Sequence, residues 1–174
     1  MPMLDAYIPE GALEPEAERK LLATCTDLLL EHEGVHPTNE RARSLAWVFV
    51  HRHRTYVAGA PSELPHYKFV CQVPEGQYDE ARRQAVTRAM TEALVEAEAG
   101  RWPDPKARVW VFTLEVPDGT WGALGGRVTT LADIAAHVLG EAGRRYGDRR
   151  LAERRREEAL SLLDAARADH DLPA

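Results

Sequence analysis

The sequence repeats one pattern twice, and this duplication limits the folds that the chain can adopt. A first apolar run ends in Ile-Pro-Glu-Gly at residues 8–11, and a second ends in Val-Pro-Glu-Gly at residues 73–76, 65 residues later. A Trp-Val-Phe segment follows each turn, at residues 47–49 and 110–112, 63 residues apart. The same order of turn and strand signals predicts two copies of one supersecondary unit.

Each copy carries a helical pattern between its strand-like runs. Apolar residues recur at helical spacing from Glu14 to Glu31 and from Asp79 to Ala97. Gly34 and Gly100 follow these patterns, where glycine allows a left-handed cap. The chain therefore predicts a duplicated β-α-β unit, in which a right-handed crossover makes the two strands of each copy parallel.

Shorter signals surround and follow the repeat. Residues 55–59 and 125–129 predict edge hairpins, residues 131–139 a short helix, and residues 148–168 a longer one. We expect three parts: a first β-α-β unit over residues 2–65, a second over residues 66–140, and a C-terminal helical extension over residues 141–174.

Composition indicates an ordinary soluble globular protein of the cytoplasm. Of the 174 residues 44% are hydrophobic and 29% are charged, and the net charge of −6 argues against nucleic acid as a partner. No run approaches the ~20 apolar residues of a membrane helix, and the N-terminus does not read as a signal peptide. We therefore expect neither a nucleic-acid nor a membrane partner. An arginine cluster in the last helix is more typical of a solvated face: Arg149, Arg150, Arg154, Arg155 and Arg156.

The two cysteines offer no disulfide framework. Cys25 lies in a helical pattern and Cys71 in a strand pattern. We expect both to be reduced and buried, as suits a cytoplasmic protein.

Pro2 directly follows the initiator Met1 at the start of the first apolar run. Removal of Met1, which a small second residue usually permits, leaves a free secondary amine. A terminal amine has a pKa of about 7.7 to 8.0, which burial or a nearby cation lowers toward neutrality. Such a base can transfer protons at physiological pH. The alternative is that proline at this position has no chemical role.

Pro2 followed by two fused β-α-β units resembles the tautomerase superfamily over about residues 2–140. Residues 10–11 and 75–80 are similar to the turn before the helix of 4-oxalocrotonate tautomerase, and residues 121–126 resemble its glycine-rich segment. Residues 109–117 are similar to a strand of the cis-3-chloroacrylic acid dehalogenase group, whose members are also fused units.

This resemblance implies an α/β (α+β) fold, a duplicated β-α-β tautomerase fold with a C-terminal helical extension. It also implies a homotrimer whose sheets surround a central barrel, with N-terminal prolines lining pockets near subunit boundaries. Pro2 is the catalytic residue that the resemblance carries over. In the family the proline is a general base in keto-enol tautomerisation, or, when charged, an acid in hydration-type dehalogenation and decarboxylation, and no cofactor is used.

Other catalytic and binding side chains of the family have no counterpart at the matching positions of this chain. The 4-oxalocrotonate tautomerase arginines align with Ala12 or Gln77 and with Trp47 or Trp110. The dehalogenases place two arginines in the segment that is here residues 75–78, a glutamate near Ala123, a helical histidine near Leu29 and a tyrosine at Phe112.

An enolate needs a donor or cation aimed at its oxygen, which is often the largest catalytic contribution. Arg108 lies two residues before Trp110 and is expected on the same strand face, and Arg127 follows a glycine pair. The alternative for each arginine is a solvent-facing charge. Tyr78 holds a family pocket position and carries a hydroxyl. The candidate substrate-binding residues are Tyr78, Arg108, Phe112, Trp121 and Arg127.

Three histidines could suggest a metal, since His51 and His53 alternate onto one strand face and His66 follows. No carboxylate or cysteine stands at a matching spacing, so we expect no metal site and no cofactor.

The leading hypothesis is a cofactor-independent tautomerase, an isomerase that uses Pro2 on a small enolisable carbonyl or carboxylate compound. A decarboxylase or a hydratase/dehalogenase of the same family acting on a three-carbon acid is one alternative. A non-catalytic trimeric binding or assembly module is another. A dimeric ferredoxin-like α+β barrel is a third.

Overall fold

The computed structural model describes residues 2–123 and 125–170. The chain divides into two compact units, Met1–Val116 and Pro117–Ala174. The first unit contains both β-α-β repeats, and the second contains a hairpin and two helices.

The first unit follows the predicted order of strand, helix and strand, twice. The sequence did not predict a short helix before the second strand. The elements are β1 (Met3–Tyr7), α1 (Pro15–His32), α2 (Glu40–Leu45), β2 (Trp47–His51), β3 (Tyr56–Val57), β4 (Ala60–Pro61), β5 (Tyr67–Pro74), α3 (Glu80–Glu98), a 3-10 turn (Pro105–Arg108) and β6 (Val109–Val116).

A four-stranded sheet in the order β2-β1-β5-β6 joins the two repeats. β1 pairs with β2, and β5 with β6, in parallel, whereas β1 and β5 are antiparallel. Met3 lies opposite Trp47, and Lys68 lies opposite Trp110. Pro2 and Tyr67 therefore hold equivalent places, one residue before Met3 and Lys68, and the antiparallel pairing puts them at opposite ends of the sheet.

Local chemistry sets the helix starts. Pro15 occupies the first turn of α1, where no backbone donor is needed. The Asp79 carboxylate accepts a hydrogen bond from the Arg82 backbone N–H at 2.7 Å and so caps α3.

One face of the sheet and the two long helices form the core. Alternate strand residues point into it, and the helices contribute residues three to five positions apart. The fully or almost fully buried members include Leu4, Ala6, Ile8, Leu21, Cys25, Leu29, Phe69, Cys71, Val73, Val86, Met90 and Leu94. The prediction that both cysteines are buried is confirmed, and neither forms a disulfide.

The opposite face of the sheet remains exposed and is largely apolar. Its large exposed side chains are Trp47, Phe49, Trp110, Phe112 and Leu114. A polar group interrupts it, since Asp5 lies 2.6 Å from His51 Nε2 and accepts a hydrogen bond from Gln72 at 2.9 Å.

The second unit consists of β7 (Trp121–Ala123), β8 (Arg127–Thr129), α4 (Leu131–Leu139) and α5 (Glu141–His170). Thr130 and Asp133 form a capping box at the start of α4. A side chain at Gly147 would meet Ala132 at 2.7 Å, so glycine permits the close crossing of α4 and α5. α5 begins seven residues before the predicted position.

The charges of α5 partly neutralise one another along the helix. Arg154 pairs with Glu158 at 2.7 Å, and Arg149 lies 4.0 Å from Glu153. These pairs support a solvated helix face. Within residues 2–123 and 125–170, no helix has the length and apolar character needed to cross a bilayer.

A buried ion pair fixes the start of β6. The Arg108 side chain is 4% exposed and that of Glu98 is 0% exposed. Arg108 donates two hydrogen bonds to the Glu98 carboxylate, from Nη2 to Oε2 and from Nη1 to Oε1, the second at 2.9 Å. Arg108 also donates to the carbonyls of Pro65 and Pro103 at 2.6 and 2.8 Å. One side chain thereby connects α3, β5 and β6.

We expect Arg108→Met to lower the free energy of unfolding by about 3–5 kcal/mol, because it leaves the Glu98 carboxylate buried without its partner. Urea unfolding measures the change. The matched control Arg19→Met removes an exposed pair with Glu16 and should cost below about 1 kcal/mol. Equal effects in the two variants would contradict a structural role for the buried pair.

Candidate active site

Pro2 is buried at the start of β1. Alternation along the strand puts it on the same face as Leu4 and Ala6, toward the helices. Continuing the antiparallel register places it opposite Val73, and Val73 pairs with Glu115. Pro2, Val73 and Glu115 thus share one rung and one face of the sheet.

Several segments end at this edge because of the topology. The carboxyl ends of β5 and β6 lie beside the amino end of β1, and the backbone N–H of Glu75 donates to the Val116 carbonyl at 2.9 Å. The turn that follows β5 then leads through Tyr78 into α3. α1 returns to the same edge after the crossover, so His32 and Glu33 also lie there.

Glu115 organises this edge. Its carboxylate accepts hydrogen bonds from the Tyr78 backbone N–H at 2.8 Å and from Arg83 Nη2 at 3.0 Å. Arg83 also donates to the Thr113 carbonyl at 2.5 Å. The Glu115 side chain is only 11% exposed, so these bonds are well shielded from water. They fix the turn before α3 against the end of β6.

Tyr78 is fully buried between these groups. Its hydroxyl has no hydrogen-bond partner among the described residues, and the Arg83 guanidinium lies 5.8 Å from its ring centre. Burial is the main cause that raises the pKa of Tyr78 well above its usual range. The side chain therefore stays a neutral phenol with a hydrogen available to donate.

Two ionisable groups at the end of α1 complete the edge. Glu33 is 3% exposed, and its charge contributes to the raised pKa of Tyr78. The pKa of His32 is lowered below its usual value, and burial makes the largest contribution to this shift. His32 lies three residues beyond Leu29, near which the resemblance expects the dehalogenase histidine.

The structure separates the residues predicted to bind substrate. Tyr78 lies at the Pro2 end of the sheet. Arg108 lies at the other end, in the turn before β6 and not on the face of Trp110, and is held by Glu98. Phe112 points to the exposed face of the sheet and is 42% exposed. The expectation that Arg108 shares a face with Trp110 is therefore wrong, because the strand begins only at Val109.

Trp121 and Arg127 belong to the second unit. Trp121 pairs with Thr129 and Arg127 with Ala123 in the β7–β8 hairpin. Arg127 is exposed, whereas Trp121 is half-buried and its carbonyl accepts a hydrogen bond from the Thr129 hydroxyl at 2.9 Å.

Two of the positions at which the resemblance expects arginines are filled by buried side chains, whereas Trp47 and Trp110, at the other two, are 61% and 68% exposed. Ala12 is 4% exposed and Gln77 is 6% exposed. Neither can reach a ligand as a long cation would.

Sequence reasoning missed Glu115 and Arg83. One signal was available, because alternation along β6 puts Glu115 on the core side with Val111 and Thr113. A charged residue on a core face needs a partner. The choice of Arg83 as that partner depends on the packing of α3 against β6, which periodicity does not specify.

Within residues 2–123 and 125–170, the structure brings together no group of three or more histidine, cysteine, aspartate or glutamate side chains suited to a metal ion. His53 Nε2 instead lies 3.1 Å from the His66 carbonyl, and His51 contacts Asp5.

Solved structures share this architecture. Pt0534 inactivated by 2-oxo-3-pentynoate has 23% identity and a TM-score of 0.59, over 72% of this chain and 94% of that one. The Q0 fused 4-OT symmetric trimer has 18% identity and a TM-score of 0.59 over the same shares. N1, a member of the cis-3-chloroacrylic acid dehalogenase family, has 14% identity and a TM-score of 0.57, over 73% of this chain and 82% of that one.

The chain has the tautomerase fold. The fused 4-OT and dehalogenase-like proteins share it, as the sequence predicted. No family model and no curated protein matches the sequence. The tautomerase fold accounts for the mixed α+β architecture.

We expect Glu115→Ala to lower the free energy of unfolding by about 1–3 kcal/mol, because it leaves the Tyr78 N–H and Arg83 Nη2 without their acceptor. Tyr78→Phe should leave stability unchanged or raise it by up to about 1 kcal/mol, because it removes a buried hydroxyl that makes no hydrogen bond. Urea unfolding of both variants measures this. A loss of unfolding free energy in Tyr78→Phe as large as that in Glu115→Ala would show that the Tyr78 hydroxyl makes a stabilising hydrogen bond.

Proposed function

We propose that the protein belongs to the tautomerase superfamily and is a cofactor-independent isomerase whose base is the secondary amine of Pro2 after removal of Met1. The observation that carries the proposal is the position of Pro2. It is buried directly before the first residue of β1 in a tautomerase fold, at the edge that also holds the turn with Tyr78.

The reaction is a proton transfer between carbon and oxygen of a small enolisable carbonyl compound. In ketonisation the Pro2 nitrogen takes the hydroxyl proton of the enol, and the carbonyl forms as the carbon–carbon double bond accepts a proton at its far carbon. Returning that proton from Pro2 restores the free amine. No electron leaves the substrate, so no redox cofactor is needed.

Tyr78 is the proposed donor to the oxygen of the enolate. Its raised pKa keeps the phenol protonated over the working pH range, and its hydroxyl is unpartnered among the described residues. Glu115 and Arg83 hold the Tyr78 backbone and ring in place without contacting the substrate themselves. A donor preorganised in a dry site stabilises developing charge strongly.

The substrate class follows from what this edge lacks. Gln77 lies in the turn after β5 at this edge, where the resemblance expects a tautomerase arginine, so a dicarboxylate lacks that cation here. We therefore propose a monocarboxylate or uncharged carbonyl compound with an acidic C–H next to the carbonyl.

The reduced Cys25 and Cys71 suit a cytoplasmic location.

Pro2→Ala should reduce the ketonisation of phenylenolpyruvate by about 10²–10⁴-fold, the usual contribution of a positioned acid or base. The decay of the enol absorbance measures the rate. Pro37→Ala is the matched control, since it changes a proline in the loop before α2, and should keep full activity. Equal rates for the wild type and Pro2→Ala would remove proline from the mechanism.

Covalent labelling tests the same amine independently of turnover. Pt0534 has been crystallised after inactivation by 2-oxo-3-pentynoate, which makes this acetylenic acid the probe. The wild type should gain one adduct per chain, located on Pro2 by peptide mass spectrometry. A retained Met1 and an unlabelled chain would favour the non-catalytic module, because Pro2 would then be a tertiary amide. Hydration of the probe in place of an adduct would favour the hydratase alternative.

We further propose that the chain forms a homotrimer whose inner surface is the exposed apolar sheet face. Trp47 is 61% exposed and Trp110 is 68% exposed, and apolar side chains of this size are normally covered. A fused 4-OT of the same fold is a symmetric trimer. Three such sheets closing around an axis would form the central barrel and leave β2 and β6, the strands at the sheet edges, next to partner subunits.

Light scattering should give a mass of about three times the 19.4 kDa of one chain. Trp110→Glu should shift the mass to that of the monomer, because it buries a charge in the interface. Thr87→Glu, on the exposed side of α3, is the matched control and should keep the trimer. A dimer would support the ferredoxin-like alternative.

A further inference from the structure

A cavity of about 580 Å³ lies at the end of the sheet opposite Pro2. Its volume is within the range of ordinary small-molecule sites. It lies beside the start of β5, where Tyr67 holds the position that Pro2 holds in β1. The duplication thus gives this chain a second sheet edge that is equivalent to the first but has different chemistry.

The cavity wall is cationic although the chain carries a net charge of −6. Arg54 and Lys68 both line it, and none of its lining residues is acidic. Neither of these two cations forms an ion pair with the described residues. Lys68 Nζ lies 3.7 Å above the centre of the Tyr7 ring. Arg108 also lines the cavity but is neutralised by Glu98, so Arg54 and Lys68 carry the uncompensated charge.

Aromatic rings form much of the remaining wall. Tyr7, Tyr56 and Trp110 line the cavity. Tyr56 is 61% exposed, and Trp110 lies where the cavity meets the apolar sheet face. Flat side chains of this kind offer stacking surfaces for a planar ligand.

The cavity wall also contains buried polar atoms that make no well-aligned hydrogen bond. They are the Thr55 hydroxyl and Nδ1 of His53. The Tyr67 hydroxyl, in contrast, interacts with Glu98. Buried polar groups are normally satisfied by a partner, and two such atoms at one cavity indicate where a polar ligand would bind.

We propose that this cavity is a second ligand site, separate from the Pro2 site, that binds a small planar organic anion with a carboxylate attached to an aromatic or conjugated group. Arg54 and Lys68 bind the carboxylate, and Tyr7, Tyr56 and Trp110 contact the planar part. Tyr67 replaces the amine of the first site with a phenol, so the ligand is bound here without proton transfer. The site does not depend on the activity proposed for Pro2.

The test uses trans-cinnamate, which has no enolisable position, and titration calorimetry of the full chain. We expect one binding event per chain, lost or weakened about 10-fold or more in Arg54→Gln and in Lys68→Gln, because each removes a charge-assisted hydrogen bond. Arg41→Gln, an equal charge change on α2 away from the cavity, should bind as the wild type does. Acetate and cinnamyl alcohol, which lack the ring and the charge respectively, should both bind at least 10-fold more weakly than cinnamate.

The Pro2→Ala variant separates this site from the proposed active site. It should bind trans-cinnamate unchanged even if its isomerase activity is lost. Cinnamate binding that disappears in Pro2→Ala and survives in Arg54→Gln and Lys68→Gln would overturn the proposal, as would the absence of binding by a wild-type chain that folds normally. Thermal unfolding of each variant distinguishes a damaged site from a damaged fold.

Discussion

The antiparallel pairing of β1 with β5 is the contact on which the rest of the first unit depends. Each β-α-β repeat by itself has two parallel strands and one helix, too little to enclose a core. Pairing β1 with β5 makes one four-stranded sheet and lets α1 and α3 cover the same face. The same pairing turns the two repeats end for end, so their equivalent edges lie as far apart as the sheet allows.

Buried charge is handled differently at the two edges. The repeat offset of 65 residues aligns Glu33, at the end of α1, with Glu98, at the end of α3, and both are buried. At the Tyr67 edge Glu98 is matched by Arg108, which precedes β6. The strands β2 and β6 are offset by 63 residues, so the corresponding residue before β2 is Leu45. A fixed internal ion pair stabilises one edge. At the other edge Glu33 lies with Tyr78, and its charge contributes to the raised pKa of the Tyr78 phenol.

The sequence predicted the features that depend on short-range residue patterns. The helix over residues 14–31 was predicted within one residue at each end, because its apolar spacing and its flanking proline and glycine agree. The position of Arg108 could not be predicted, since the 3-10 turn that removes it from the strand depends on contacts with Pro65, Pro103 and Glu98. The Glu115–Arg83 pair also needs tertiary packing. The trimer and the role of Pro2 stay predictions.

A secondary amine can exist at only one of the two equivalent edges. Proline inside a chain is a tertiary amide with no basic nitrogen, so a repeat joined to a preceding one cannot supply the base that a free N-terminus supplies. Because the two units are fused, a proline at the second edge would have no basic nitrogen, and other residues can occupy its position. Tyr67 occupies that position. Burial makes the largest contribution to raising the pKa of the Tyr67 hydroxyl above its usual range, so the side chain remains uncharged. A neutral phenol near Arg54 and Lys68 favours holding an anion over moving a proton.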